Sequence, residues 1–380
     1  MALPSLDMAL PSLDMALPIS ICIFLFFFIL NQASTSFCSM SPNNIDSTHS
    51  FSSIISFGDS LADTENIFYL NPPYKNFQNV QNYLDHPRYS DGRLVIDFIA
   101  QELGLPLVPA YIPEKNNNSF EHGVNFAVGG ACAMSNQLAQ NLGFTTASQD
   151  YSLAIQLQWF HDLLHEMTLH NDSIHDNILS NKSLFFIGEM GLNDYYGLYQ
   201  ELNQTNDIDR RRPYVPIIVH EIVSTIEDLI KTGANTILVA GLYPMGCMSA
   251  YNTQSTDGLI DPKTGCNNNV NELAKYHNSL LQEELDKLSK VHPQAKILFV
   301  NYYDIMMPFF ETPKEFGFKT PLTTCIGLMG QRDFSDNITS NTPKCNDTSS
   351  YVSWDGIHLT EAAHRIIADH ILQLLRENNL

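Results

Sequence analysis

Basic side chains are scarce in this sequence. Its 380 residues include 20 Lys and Arg against 41 Asp and Glu, which gives a formal net charge of −21 at pH 7. A surface with this excess of negative charge repels phosphate backbones and anionic lipid headgroups. We therefore expect neither nucleic acid nor a membrane surface as a partner.

Motifs that hold phosphate groups, metals or nucleotide cofactors are also lacking. The nearest is HDLLH, in which His161 and His165 stand four residues apart as the paired imidazoles of zinc proteases do. Asp162 replaces the usual glutamate, and no pattern for a third ligand follows nearby. We expect no metal and no cofactor.

Apolar runs long enough to cross a bilayer, roughly 20 residues, are missing. The stretch ISICIFLFFFIL at Ile19–Leu30, followed by small polar residues, has the length of a signal-peptide core. No basic residue precedes it, so an uncleaved anchor remains the alternative. Before it, the heptapeptide MALPSLD occurs twice and begins a third time at Met15. We interpret residues 1–36 as a signal peptide with a duplicated leader, and we expect no stable membrane insertion.

No linker rich in Pro, Gly or Ser divides the chain after residue 50. We therefore predict residues 37–50 to be an N-terminal extension and residues 51–380 to be a single domain. Export would place the protein outside the cell, in the cell wall or in the vacuole. N-glycans are expected there, and the chain has six acceptor sequons: Asn117, Asn171, Asn181, Asn203, Asn337 and Asn346.

The cysteines fit an oxidising compartment. Of the seven, Cys22 lies in the leader, and the others are Cys38, Cys132, Cys247, Cys266, Cys325 and Cys345. Cys247 with Cys266, and Cys325 with Cys345, each bracket a short polar loop, so short-range disulfides are expected. Sequence alone leaves the connectivity open.

Short apolar runs alternate with longer segments of helical period. Four runs predict strands: Ser53–Phe57, Ser183–Ile187, Thr236–Ala240 and Lys296–Val300. Three segments follow the i, i+3, i+4, i+7 rule of amphipathic helices: residues 215–230, 273–288 and 363–374, the last with Thr360 as N-cap. The alternation predicts an α/β fold whose parallel sheet is covered on both faces. In such sheets, chemistry gathers beyond the carboxyl ends of the strands.

A candidate nucleophile follows the first predicted strand. In IISFGDSLAD the chain turns immediately towards a helix, which predicts that Ser60 lies at a helix N-terminus, beside free backbone N–H groups that could stabilise an oxyanion. The Gly-Asp-Ser tripeptide is common by composition, and an ordinary N-cap serine is the alternative interpretation. Ser60 alone therefore decides nothing.

A nucleophilic serine needs a base, and the base needs an orienting carboxylate. Three Asp-x-x-His sets could supply both: Asp162/His165, Asp172/His175 and Asp355/His358. The first falls on a probable amphipathic helix, residues 153–167, and the second in a polar loop. The third precedes the capped final helix and contains Gly356, which lets the chain turn so that both side chains can face one site. We predict the third set to be catalytic.

Two further segments between nucleophile and base could stabilise an oxyanion. GVNFAVGGACA places Gly129 and Gly130 after a short β-like stretch, where bare backbone can approach a substrate. FFIGEMGLNDY places the amide of Asn193 just past the next strand. Each segment alone is better read as a turn glycine or an Asx turn. Because all these segments follow one another at successive strand ends, we instead favour a role in stabilising an oxyanion.

The assembled pattern resembles the GDSL, or SGNH, hydrolase family, and within it the plant branch of GDSL esterase/lipases. The resemblance extends from about Ser53 to Leu375 and is carried by six segments: FGDSLAD, YSDGRLVIDFIAQELGLPLVP, GVNFAVGGACA, GEMGLNDY, GLYPMGC and WDGIHLTEAAH. It implies a flavodoxin-like three-layer α/β/α fold with a five-stranded parallel sheet. It also implies Ser60 as nucleophile, Asp355 and His358 as the base pair, and an oxyanion hole made by the backbone N–H groups of Ser60 and Gly130 and the side chain of Asn193.

Several positions depart from that family's pattern. Glu65 stands where a glycine is usual, Cys132 replaces a frequent threonine, and Leu192 occupies a variable position. The segment after the nucleophile, residues 72–93, lacks the glycine-rich pieces of relatives. No catalytic atom is removed, so the departures bear on the substrate and not on the reaction.

The expected activity is hydrolysis of a carboxylic ester of a plant metabolite or lipid through an acyl-enzyme. The same residues would serve an acyltransferase in which a bound alcohol takes the place of water, and sequence does not separate the two. A binding protein that has lost activity is a third possibility, against which the intact Ser60, Asn193 and His358 argue.

Overall fold

A computed structural model describes residues 51–70, 88–115, 120–144, 149–169, 174–201, 208–252, 259–327 and 342–380. The predicted leader, the N-terminal extension and Cys38 lie outside these residues, as does most of the segment that lacks the family's glycines. Asn181 and Asn346 are the two sequon asparagines within them, and both are exposed.

Five parallel strands form the centre of the fold. They are β1 (Ser53–Phe57), β2 (Gly123–Asn125), β3 (Ser183–Ile187), β4 (Thr236–Ala240) and β5 (Lys296–Val300). The order across the sheet is β2-β1-β3-β4-β5. All four strand predictions are confirmed, and β2 is the short β-like stretch before the glycine pair. Every residue of β1, β3 and β4 is buried, as parallel strands covered on both faces require.

Helices flank this sheet and complete the three-layer α/β/α fold. The α-helices are α1 (Asn66–Leu70), α2 (Val95–Glu102), α3 (Tyr111–Glu114), α4 (Asn136–Asn141), α5 (Leu153–Leu169), α6 (Ile174–Ile178), α7 (Leu192–Glu201), α8 (Ile208–Arg211), α9 (Val215–Thr232), α10 (Ser249–Asn252), α11 (Asn268–Val291), α12 (Tyr302–Glu311) and α13 (Glu361–Glu377). Short 3-10 turns lie at Arg212–Tyr214, Met245–Cys247, Pro313–Phe316 and Thr348–Ser350. Helix α9 packs against α5 and α11, and α13 packs against α2.

The three long amphipathic helices confirm the helical periods found in the sequence. Helix α9 buries the residues spaced at three and four, from Val215 to Ile230, against the core. The predicted N-cap of α13 is confirmed, because the Thr360 side chain accepts a hydrogen bond from the Ala363 N–H. Among the described residues, none of the helices combines the length and the apolar character needed to span a bilayer.

Two predicted placements are wrong. The helix after the nucleophile begins at Asn66, so Ser60 lies on a turn six residues earlier and not at a helix N-terminus. The Asp59 carboxylate and carbonyl hold the next backbone N–H groups in that turn, which delays the helix. His175 lies in the short helix α6 and not in a loop. Its partner in the spacing pattern, Asp172, is outside the described residues.

Two disulfides close short loops. Cys247 pairs with Cys266 and Cys325 pairs with Cys345, as the spacing suggested. The paired cysteines are 19 and 20 residues apart, and loops of that length stabilise a fold by about 3 kcal/mol each when the unfolded chain is constrained. Cys132 is the free cysteine of the described residues.

Candidate active site

The strand order reverses beside β1, and the candidate site lies at this point. Successive strands β2 and β3 pair with opposite edges of β1. In open parallel sheets such a reversal leaves a crevice beyond the carboxyl ends of the strands. Phe57 is level with Ile187 in the sheet register, so the loop after β1 and the loop after β3 enter the crevice side by side.

Gly58 lets the chain leave β1 sharply. Its φ is +151°, and a Cβ there would lie 3.1 Å from the Cβ of Ala62 and 3.3 Å from the Cα of Gly188. The buried amide of Gln156 fixes the same residue from α5: its Oε1 accepts from the Gly58 N–H at 2.9 Å, and its Nε2 donates to the Gly58 carbonyl at 2.8 Å. Gly58, two positions before the serine, is therefore fixed through both its N–H and its carbonyl.

Ser60 lies on a turn that leaves its own N–H unused. The N–H groups of Ala62 and Asp63 donate to the Asp59 carbonyl, at 3.1 and 2.8 Å, and the Leu61 N–H donates to Asp59 Oδ1 at 2.9 Å. Within the described residues, no hydrogen bond engages the Ser60 N–H.

The serine, histidine and aspartate that the sequence brings together form a continuous hydrogen-bonded chain. Ser60 Oγ lies 2.8 Å from His358 Nε2, and His358 Nδ1 lies 2.5 Å from Asp355 Oδ2. Gly356, with φ +109°, makes the turn that points both side chains of the loop towards the serine. The three residues are buried, so water competes little for these bonds.

Asp355 is arranged to stay ionised. Its second oxygen, Oδ1, accepts from the backbone N–H groups of His358 at 2.8 Å and Ile357 at 3.1 Å. Burial raises the pKa of this carboxyl, but the His358 ring and the hydrogen bonds outweigh burial and hold the pKa below its ordinary value. A charged carboxylate beside Nδ1 favours the tautomer that carries its proton there.

Two candidate oxyanion donors face the same crevice. Gly130, with φ +81°, is exposed, and its N–H has no hydrogen-bond partner within the described residues. The Asn193 amide nitrogen donates to Asp59 Oδ2 and to the Ala131 carbonyl, both at 2.9 Å. To accept from Asn193, an oxyanion would have to share one of these two amide hydrogens or displace the acceptor that now holds it.

Buried aspartates tie the loops of the site together. Asp63 Oδ1 accepts from the N–H groups of Glu65 and Asn66 at the start of α1, and its Oδ2 accepts from the Gly129 N–H at 2.8 Å. Asp194 accepts from the Ala133 N–H at 2.8 Å, just past the glycine pair. The loop after β1 is thus fastened to the loop after β2, and that loop to α7.

Burial changes the acidity of these carboxyls. It raises the pKa of Asp59 to about 7, with neighbouring carboxylates adding to the shift, and the pKa values of Asp63 and Asp194 to about 6. Burial also raises the pKa of Glu189 well above its ordinary value. The backbone N–H groups that donate to the aspartates lower their pKa values and limit the shift.

The other histidine candidates lie elsewhere. His165 is exposed on α5, and Asp162 of the same set accepts from the Gln158 amide at 2.8 Å. His161 Nε2 lies 3.8 Å from Asp228 Oδ1 on the neighbouring helix α9. The described residues contain no group of three or more His, Cys, Asp or Glu that could hold a metal ion.

The positions that depart from the family pattern border the site. Leu192 donates its N–H to Glu189 Oε1 at 3.1 Å. Cys132 follows the loop of Gly129 and Gly130, and burial raises the pKa of its thiol well above the ordinary value. A thiol held protonated is a poor nucleophile, so Cys132 does not compete with the serine.

Fold and site define a class: a hydrolase of three-layer α/β/α architecture with a serine, a histidine and an aspartate at the carboxyl edge of a five-stranded parallel sheet. Residues 54–371 match the family model described as GDSL-like Lipase/Acylhydrolase. The chain belongs to this family, and it is a serine hydrolase of carboxylic esters.

The chain is similar to several plant proteins. The GDSL esterase/lipase At1g28570 of Arabidopsis thaliana is 40% identical over 365 residues, which cover 92% of this chain and 90% of that protein. The GDSL esterase/lipases At1g28640 and At1g28580 of the same plant are 39% and 38% identical, and each match covers 85% of both chains.

Sequence reasoning missed the residues that support the site. Gln156 comes from a segment far from the serine, and nothing in its local pattern marks it. Tyr89 begins one of the six segments that carry the family resemblance, but the sequence does not indicate that its ring lies against His358. Asp59 and Asp194 stand next to predicted site residues, in GDS and in LND, and that adjacency was an available signal. Both carboxyls are buried, and buried carboxyls rarely occur without a hydrogen-bond partner.

His364 should make the fold sensitive to acid. It is buried on α13, neither ring nitrogen has a partner within the described residues, and burial lowers its pKa to about 3. Because the folded pKa lies below the unfolded value near 6.5, stability is lost as the pH falls from about 6.5 towards 3. In His364→Phe, the free energy of unfolding should therefore drop between pH 7 and pH 5 by about 2 kcal/mol less than in the wild type.

Denaturant unfolding of both proteins at the two pH values measures this difference. The control is His370→Gln, which changes an exposed histidine of the same helix and should leave the pH dependence unaltered. Equal pH dependence in His364→Phe and the wild type would contradict the prediction.

Proposed function

We propose that the protein hydrolyses its ester through a covalent acyl-enzyme on Ser60, with His358 as general base and Asp355 as the group that orients it. The observation that carries this proposal is the unbroken series of contacts from Ser60 Oγ through the imidazole to Asp355 Oδ2, at 2.8 and 2.5 Å. The 2.8 Å distance between Ser60 Oγ and His358 Nε2 is within hydrogen-bond reach for proton transfer, and the shorter contact to Asp355 holds the ring in place.

In the first half of the reaction, His358 Nε2 takes the proton of Ser60 while Oγ attacks the ester carbonyl. The tautomer with its proton on Nδ1, held by Asp355, leaves Nε2 free to accept. The imidazolium then gives its proton to the departing alcohol, and the acyl group remains on Oγ. Water repeats the sequence with the same base and releases the acid.

We propose Ser60 N–H, Gly130 N–H and the Asn193 amide as the donors to the tetrahedral oxyanion. Two of them have no other partner within the described residues, so binding costs them no existing bond. Asn193 is held in place by Asp59 Oδ2 and the Ala131 carbonyl, and it contributes once the oxyanion shares its hydrogens.

We propose secretion and N-glycosylation as the setting of this activity. The two disulfides fit an oxidising compartment, and the sequons at Asn181 and Asn346 lie on the surface. Residues 1–36 would direct export, residues 37–50 would form an extension, and residues 51–380 would form the catalytic domain. The substrate is a small-molecule ester.

A fluorophosphonate probe tests the nucleophile directly. The Ser60 oxygen attacks phosphorus, fluoride leaves, and His358 takes the serine proton, so one phosphonyl group is added per protein. We expect peptide mass spectrometry to find that group on Ser60 and hydrolysis to stop in proportion to labelling. Stoichiometric labelling at any other residue, or full activity after labelling of Ser60, would refute the assignment.

A further inference from the structure

The face of the His358 ring is covered by an aromatic ring from a distant segment. The Tyr89 ring centroid lies 4.6 Å from that of the imidazole, and the two planes are tilted by 30°. Tyr89 is buried, and it also stacks on Phe68 of α1 at 5.6 Å. The imidazole is therefore bounded by Asp355 at one nitrogen, Ser60 at the other and an aromatic ring on its face.

The far part of the Tyr89 ring lies against the loop of Gly129 and Gly130. A Cβ added to Gly129 would lie 2.7 Å from Tyr89 Cε2 and 3.0 Å from its hydroxyl oxygen. Only a residue without a side chain allows this approach, which explains the first glycine of the pair. One ring thus lies against both the proposed base and the backbone that precedes the Gly130 donor.

Bonds on both sides hold the segment of Tyr89 in place. Before it, Arg88 makes a buried ion pair with Asp97 of α2 through Nε and Nη2, each at 3.0 Å from a carboxylate oxygen. After it, the Arg93 N–H donates to Glu361 Oε2 at 2.8 Å, at the start of the helix that follows the histidine loop. The ring is fixed from two directions and cannot easily move away from the imidazole.

Asp91 strengthens the second connection. Its Oδ1 accepts from the Glu361 N–H at 2.6 Å, so the segment of Tyr89 and the first turn of α13 are joined by two reciprocal bonds. The segment that carries Tyr89 is therefore hydrogen-bonded to the start of α13, which directly follows the loop that carries His358. These bonds support the orientation of the Tyr89 ring against the imidazole.

We infer that Tyr89 is a positioning residue for the reaction: its ring fixes the plane of the His358 imidazole and stabilises the imidazolium that forms when Ser60 is deprotonated. The inference rests on the proposed function. An aromatic face attracts a cation most strongly where water is excluded, and here the cation exists only after the serine has given up its proton. Tyr89 should therefore act on turnover and not on ester binding.

The test compares three variants of the full secreted protein on one chromogenic short-chain ester. In Tyr89→Leu, kcat should fall about 10- to 30-fold while KM stays within about twofold. Tyr89→Phe restores the ring and should recover most of kcat. Phe309→Leu is the matched control, because it removes a buried ring that packs against the rings of Phe316 and Phe318 and not against the imidazole. Its kcat should stay within about twofold.

Each outcome decides the inference. Unchanged kcat in Tyr89→Leu, a change confined to KM, an equal loss in Phe309→Leu, or no recovery in Tyr89→Phe would each overturn it. Should Tyr89→Leu fail to fold by circular dichroism, Tyr89→Met replaces it, because the longer, flexible side chain can fill the gap left by the ring, and the same limits apply to it. Ser60→Ala distinguishes a failure of the proposed function from a failure of this inference. If Ser60→Ala stays active, the proposed function itself fails. If Ser60→Ala is inactive while Tyr89→Leu is normal, only the inference about Tyr89 fails.

Discussion

Replacement of Ser60 by alanine is expected to lower ester hydrolysis by a factor of about 10⁴ to 10⁶, to a rate supported by binding and the oxyanion donors alone. The hydroxyl removed is the one bonded to His358 Nε2 at 2.8 Å, and no other described hydroxyl is in contact with that nitrogen. Without it, the imidazole has no proton to accept and no acyl-enzyme can form. Steady-state hydrolysis of a chromogenic ester measures the loss.

Ser56→Ala is the matched control for that experiment. Ser56 is also buried, lies four residues upstream on β1, and its hydroxyl has no hydrogen-bond partner within the described residues. Activity should survive this change, because it removes a hydroxyl of the same kind outside the crevice. Near-normal hydrolysis by Ser60→Ala would contradict the mechanism, and equal losses in both variants would point to a folding defect.

The second large effect is expected for Asp355→Asn, with a fall in kcat/KM of about 10³- to 10⁴-fold. Asparagine keeps the shape of the side chain, but its amide N–H₂ facing Nδ1 forces the His358 proton onto Nε2. The imidazole then cannot accept from Ser60. Because the pKa of Asp355 is lowered in the fold, the wild-type carboxylate stays charged in mildly acidic solution, and the deficit should persist there.

Asp162→Asn makes the same chemical change in a set with the same spacing. Asp162 lies on α5, where its carboxylate accepts from the exposed Gln158 amide. Its substitution should leave kcat/KM unchanged. Wild-type activity in Asp355→Asn, or a comparable loss in Asp162→Asn, would contradict the assignment of Asp355 as the carboxylate that orients His358.

Much of the fold was predictable because the strands are buried on both faces. Ile54 and Ile55 in β1, or Leu238 and Val239 in β4, form continuous apolar runs that end where the chain reaches the crevice. The amphipathic helices were equally clear, since burial of one side of α9 imposes a period of 3.6 residues. The three-residue β2 was harder, because a strand that short has no period of its own.

The start of α1 was not predictable from local propensity. In isolation, a Gly-Asp-Ser turn can lead straight into a helix. Here the Asp59 carboxylate and carbonyl take the next N–H groups, and Asp63 then caps the helix at Glu65 and Asn66. Which carboxylate captures which backbone group depends on the fold around the turn, and sequence spacing does not specify it.

For the site, sequence order indicated which residues meet, and it did not indicate what holds them. The amide of Gln156 that secures Gly58 is 98 residues away, and the Tyr89 ring reaches the imidazole from a segment with no catalytic signature. Nor did the sequence show that Asn193 already has Asp59 and Ala131 as acceptors. Contacts of this length are decided by packing, and one sequence carries no record of them.

Ser60 and His358 are separated by 298 positions along the chain, and their contact has a consequence for biosynthesis. A chain is synthesised from its N-terminus, at about 5–20 residues per second, so Ser60 leaves the ribosome long before His358. Under the proposed mechanism, a truncated product that stops before Asp355 has a serine without an acceptor for its proton. We therefore expect hydrolytic activity only from chains that extend through the histidine loop.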